Sequence, residues 1–105
     1  MSNEPLEQDE ADVATETRQE VKRPPLYKVL LHNDDYTTQD FVVTILETIF
    51  HHSKEVAMQI MLHVHQRGIG VAGLFTYETA EAKMNQVHAL AKEREFPLRC
   101  SIEPE

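Results

Sequence analysis

Two short stretches of the chain carry side chains that could do chemistry. The first is Asn33-Asp34-Asp35-Tyr36, a row of donors and acceptors. The second is Met61, Val64 and His65, which stand at i, i+3 and i+4 and so share one face of any helix that holds them. If the polar row lies beside that face, an acidic, acceptor-rich rim meets an apolar patch with a histidine at its edge. Such a site suits a ligand with one cation and one bulky apolar group. The same residues also read as a plain turn and a plain core, and residue types alone leave both readings open.

Other chemistries fit the chain less well. An enzyme would use Asp34 and Asp35 with His65 as acid, base or orienting groups. It would lack a nucleophile, since Thr37 and Ser53 read as helix caps and Cys100 as a core residue. The six histidines invite a metal. Yet His51 and His52 are about 100° apart on a helix and His63 and His65 about 200°, whereas helical metal pairs stand at i and i+4. No metal or other cofactor is expected. The three glycines spell Gly68-Ile69-Gly70-Val71-Ala72-Gly73, a literal G-x-G-x-x-G. A dinucleotide site needs a strand before that motif and a helix after it. Here the order is reversed, and a helix C-cap with a close strand approach explains the glycines better.

The elements that must position these residues follow from periodicity. Leu26 to His32 is rich in β-formers and stops at the polar turn, which predicts a strand. Thr37 is the expected N-cap of a first helix, with Asp40 as the reciprocal acid. Phe41, Val42, Ile45, Leu46, Ile49 and Phe50 form its apolar stripe, and His51-His52 closes it. Ser53 caps a second helix carrying Val56, Ala57, Ile60, Met61 and Val64, which ends at Arg67-Gly68. Val71 to Phe75 is the next strand and Glu78 to Glu95 the third helix. Phe96-Pro97 stops that helix, and Leu98, Cys100 and Ile102 point inward from a last, alternating strand. The order β-α-α-β-α-β predicts an α+β fold, a small two-layer domain with a three-stranded antiparallel sheet packed against three helices.

Charge and length narrow the class. The chain has 105 residues, enough for one domain, and a net charge of −8. Residues 1–20 alone hold seven acids against one base. They are too polar to offset the entropy of ordering, so residues 1–23 are expected to be a disordered acidic N-terminal extension and residues 24–105 the folded core. Lys and Arg form no cluster, which argues against nucleic acid and anionic membrane as partners. The N-terminus has no basic start followed by an apolar run, so no secretory signal is expected. The most apolar window, Phe41 to Phe50, is about half the ~20 residues that a membrane helix needs. The single cysteine excludes an internal disulfide. Together these features predict a soluble cytoplasmic protein.

Several motifs, in order, then resemble one known family. Leu26-Tyr27-Lys28-Val29-Leu30-Leu31-His32-Asn33-Asp34-Asp35-Tyr36-Thr37 resembles the YKV-x(3)-NDDYT opening of the ClpS adaptors. Met61-Leu62-His63-Val64-His65 resembles their ML-x-VH helix, Thr79-Ala80-Glu81-Ala82-Lys83 their AETK segment, and Phe96-Pro97-Leu98 their HPL element. The likeness runs through essentially the whole expected core.

What the resemblance implies is an adaptor and not an enzyme. Such an adaptor binds N-degrons, proteins beginning with Leu, Phe, Tyr or Trp, and passes them to a ClpA-type AAA+ unfoldase of the Clp protease through the unfoldase's N-terminal domain. By resemblance, Asn33, Asp34 and a neutral His65 accept from the substrate's α-ammonium. Thr37, Gln39, Val42, Met61, Val64 and Leu98, with Asp35 nearby, surround its first side chain. Glu78 and Lys83 would contact the unfoldase. Acetylated termini should be rejected, and affinity should fall as His65 takes up a proton. Two departures stand out. Thr38-Gln39 replaces the family's usual Pro-Met, and Ala82 replaces its threonine. The alternative reading is a peptide- or protein-interaction module of the same fold with a different ligand.

Overall fold

The structure is a computed structural model and describes residues 23–105. The extension expected over residues 1–23 lies outside the described residues except for Arg23. Strand β1 (Leu26–His32) leads through the polar turn into α1 (Gln39–Thr48) and α2 (Lys54–Arg67). Strand β2 (Ile69–Thr76), α3 (Tyr77–Glu93) and β3 (Arg99–Pro104) complete the chain. The sheet is antiparallel with order β2-β1-β3, so the expected order of elements and three-stranded sheet are both present.

The first helix is capped by Thr38 and not by Thr37. The Thr38 hydroxyl accepts from the Phe41 amide at 3.1 Å. The Thr37 hydroxyl instead turns back into the preceding turn and donates to the Asp34 carboxylate at 2.8 Å. The stripe is as read: Phe41, Val42, Ile45 and Leu46 are buried, and Ile49 and Phe50 stay in the core beyond the helix end. Ser53 caps α2 by accepting from the Val56 amide, and Gly68 closes it in the left-handed region at φ 88°. That conformation costs a glycine little and a residue with a Cβ much more.

Strand β2 begins two residues earlier than Val71, because Ile69 and Gly70 pair with His32 and Leu31. The pairing slips between Val29 and Leu30, where Ala72 is left over as a bulge. The freed Ala72 carbonyl accepts from the His52 ring at 2.6 Å. Helix α3 ends at Glu93, short of Glu95. Glu95 turns into the left-handed region at φ 65°, and the Phe96 amide bonds back to the Ala91 carbonyl.

Val29 and Leu31 of β1, Ala72 of β2 and Cys100 of β3 meet Ile45, Leu46, Ala57, Ala80 and Val87 of the helices in one core. Cys100 is buried, and burial pushes its thiol up to about 12. Only about one thiol in ten thousand is then ionised at pH 8, and the thiolate is the reactive form. Iodoacetamide at pH 8 should therefore leave the native chain unmodified while labelling it in denaturant. Rapid native labelling, read by mass spectrometry, would contradict this packing.

Candidate functional site

The turn after β1 is built around Asp34. One carboxylate oxygen accepts from the amides of Tyr36 at 2.8 Å and Thr37 at 2.7 Å. The other accepts from the Thr37 hydroxyl at 2.8 Å. Burial pushes the Asp34 carboxyl up, but the bonds from the Thr37 amide, the Tyr36 amide and the Thr37 hydroxyl outweigh it. The net displacement is below the ordinary 3.8. A carboxylate has about four acceptor sites. Three are taken by the turn, which leaves capacity on the oxygen that faces Thr37's hydroxyl.

The turn is also fastened to α2. The Asn33 amide donates to the Gly68 carbonyl at 2.9 Å, so the polar row begins beside the C-terminus of the helix that carries Met61, Val64 and His65. The two stretches separated in sequence line one cleft of about 220 Å³. Its walls are Asn33, Asp34, Asp35, Thr37, Gln39, Val42, Met61, Val64 and His65. Val42, Met61 and Val64 are buried and form an apolar floor; Asn33, Asp35, Gln39 and His65 are exposed at the rim.

Every residue expected at the amine end or in the side-chain pocket therefore lines this cleft, except Leu98. Leu98 is buried in the core just before β3 and is not part of the lining. Gly70 supports the site from below, and the sequence reading did not connect it with the pocket. A Cβ there would stand 2.7 Å from the Cγ2 of Val64, a floor residue. The signal was a glycine inside a strand-forming run, which marks a close approach without saying of what.

The residues expected to face an unfoldase do not share one face. Glu78 is exposed in the first turn of α3. Lys83 is five positions on, about 140° round the helix. Its ammonium donates to the Ile49 carbonyl at 2.6 Å and lies 5.6 Å from the Phe75 ring centre. Lys83 thus closes the C-terminal end of α1. A charged hydrogen bond of this kind, discounted for partial exposure, contributes about 1 kcal/mol. Lys83→Met should lower the melting temperature by about 4–8 °C. An unchanged melting curve would leave Lys83 free for a partner.

The fold and the cleft together define a class: a small two-layer α+β domain with a recess of single-side-chain size, polar at the rim and apolar at the floor. Residues 22–101 match the family model described as "ATP-dependent Clp protease adaptor protein ClpS". The ClpS adapter of Myxococcus xanthus is 56% identical over 98 residues, spanning 91% of this chain and 92% of that one. The ClpS adapter of Desulfatibacillum aliphaticivorans is 54% identical over 105 residues and the whole of both chains. The structure of Agrobacterium tumefaciens ClpS2 bound to L-phenylalaninamide superposes with a TM-score of 0.76 at 40% identity, covering 79% of this chain and 100% of that one. The chain belongs to the ClpS family of Clp protease adaptors.

Among the described residues, no group of three or more His, Cys, Asp or Glu is placed to hold a metal, and no helix is long and apolar enough to cross a membrane.

Proposed function

We propose that this chain is an N-degron adaptor, whose core over residues 24–105 delivers proteins with N-terminal Leu, Phe, Tyr or Trp to a ClpA-type AAA+ unfoldase in the cytoplasm. The observation that carries this reading is the single cleft shared by the Asn33-Asp34 turn and the Met61/Val64/His65 face. A free α-amino group has a pKa of about 7.7–8 and is largely an ammonium at neutral pH. It brings three donors. The Asn33 side-chain oxygen, the remaining capacity of Asp34 and an imidazole nitrogen of His65 supply three acceptors. The first side chain then descends onto Val42, Met61 and Val64, where burying a Leu or Phe is worth about 1.5–3 kcal/mol. Neither half alone offsets the cost of association, so the site selects a free terminus and a bulky residue together. The ligand in the Agrobacterium ClpS2 structure, L-phenylalaninamide, has that chemistry: one free amine and one benzyl group. Glu78 is the exposed residue we assign to contact with the unfoldase N-terminal domain, whereas Lys83, on another face of α3, holds the end of α1.

Titration with fluorescent Leu- and Phe-starting peptides and their N-acetylated copies tests the binding half. Free peptides should bind and acetylated copies should bind at least about a hundredfold more weakly, since charge and two donors are lost. Equal affinity would overturn the reading. Delivery is tested by degradation of a Leu-starting reporter by the Clp protease with and without this chain. No acceleration would remove the adaptor role from the proposal.

Gln39 occupies the first position of α1 and lines the cleft beside Val42. Its flexible, polar side chain excludes a β-branched substrate less firmly than an apolar wall would. Gln39→Met should therefore raise the preference for Leu over Ile and Val at the peptide's first residue, by about threefold to tenfold. An unchanged Leu-to-Ile ratio would discard this account of position 39.

A further inference from the structure

The apolar surface of α2 does not stop at the cleft. Met61 and Val64 are buried in its floor, yet Met58 and Leu62 of the same helix are 41% and 44% exposed. At about 100° per residue, Val64, Met61, His65, Met58 and Leu62 follow one another round an arc about 160° wide. Met58 and Leu62 stand at i and i+4 and lie side by side. An exposed apolar strip therefore begins where His65 ends, on the solvent side of the cleft's rim.

The two sides of that rim differ in chemistry. The turn side carries the carboxylates of Asp34 and Asp35. The helix side, past His65, carries the thioether of Met58 and the isobutyl group of Leu62. A peptide anchored by its first residue must send the rest of its chain out over one of these sides. In an extended peptide the first and third side chains point to the same face, about 6.5–7 Å apart. Leu62 lies about 4.5 Å along the helix axis from His65 and about 60° round it, which is within that step of the rim.

Resting on the N-degron reading above, we infer that Met58 and Leu62 form a second subsite, which takes the third side chain of the bound peptide and favours an apolar one. The strip adjoins the cleft along α2, Met58 standing three residues before Met61 and Leu62 three before His65, and its occupant is the ligand anchored there. An acidic third residue would meet no donor on the strip and would lie close to the carboxylates of the opposite rim. A small polar residue would leave the strip wet. An aliphatic residue would cover both side chains at once.

The experiment uses Leu-starting peptides identical except for Leu, Ser or Asp at position three, with a matched set varied at position two. The wild-type chain should bind the position-three Leu peptide about threefold to tenfold more tightly than the Ser peptide, and the Asp peptide most weakly. The position-two set should span less than about twofold. The readout in Met58→Ser/Leu62→Ser is the ratio of affinities for the Leu and Ser peptides, which general damage to the cleft would not flatten. That ratio should fall to about one, and Leu62→Gln, which keeps the side chain's length, should reduce it in the same direction. Equal wild-type affinity across the position-three set overturns the subsite, as does a ratio that survives in the double variant. Failure of the parent reading looks different: no Leu-starting peptide binds, or acetylated copies bind equally, and the subsite falls with it.

Discussion

Asp34→Ala should weaken binding of a Leu-starting peptide by about a hundredfold or more, the largest loss expected from any single side chain of the cleft. Two effects act together. On the proposed reading the variant removes an acceptor for the ammonium, and a charge-assisted hydrogen bond is worth about 1.5–3 kcal/mol, or roughly tenfold to 150-fold in affinity. It also removes the three bonds by which Asp34 shapes the turn, which leaves Asn33 and Thr37 less well posed. Asp34→Asn separates the two. Its amide oxygen can still accept from the Tyr36 and Thr37 amides, so the melting temperature should recover, while the charge and most of the affinity stay lost. Peptide titration and thermal melts of both variants provide the check, and an Asp34→Ala affinity within about threefold of wild type would remove Asp34 from the amine site.

Acid adds a second signature of the same carboxylate. Its pKa in the folded chain lies below the ordinary 3.8. The ionised form is the one the turn binds, so its contribution is fully present at neutral pH. It fades as pH falls from about 4 through the lower, folded value. The stability gap between wild type and Asp34→Ala should therefore be constant near neutrality and should close below about pH 4.

Gly70→Val should cost both stability and binding, although residue 70 does not line the cleft. A Cβ there meets the Val64 Cγ2 at 2.7 Å and the His63 Cδ2 at 3.3 Å. Valine's two further methyl groups have to push α2 away from β2. Overpacking of this sort costs about 1–3 kcal/mol, so the melting temperature should fall by roughly 5–20 °C. Val64 is also part of the cleft floor, and its displacement should lower Leu-peptide affinity about tenfold. Gly70→Ala should show the same pair of losses in milder form, because a single methyl displaces less than an isopropyl group, although the Val64 methyl 2.7 Å from it must still shift. Full peptide affinity in a destabilised Gly70→Val chain would show that the floor repacks without help from β2.

Much of this was legible in the residues. The apolar stripe from Phe41 to Phe50, the Ser53 cap and the Gly68 stop are local signals, and local interactions decide them. The choice between Thr37 and Thr38 as cap is different. Both residues suit the position, and only the folded turn shows that the Thr37 hydroxyl faces Asp34 while the Thr38 hydroxyl faces the Phe41 amide. Ile69 and Gly70 read as punctuation because a glycine on each side of Ile69 hides strand character, and only pairing with Leu31 and His32 reveals it. The cleft itself was half legible. The helix face could be read from spacing, but its meeting with the Asn33-Asp34 turn is a tertiary fact that the residues by themselves left beside a plain turn and core. Resemblance to the ClpS pattern brought those two stretches together, and the geometry then left Leu98 in the core behind them. Lys83 shows the reverse limit. A lysine in a helix reads as solvated charge, and nothing local announces that the end of another helix, at Ile49, will claim it.

The hydrogen bond from the Asn33 amide to the Gly68 carbonyl has a kinetic consequence. It joins loop and helix through backbone groups alone, so on the N-degron reading the receptor is posed by its own fold. Residence time is then governed by how quickly a guest escapes a ready-made cradle, and tighter or looser variants should differ chiefly in departure rather than in arrival.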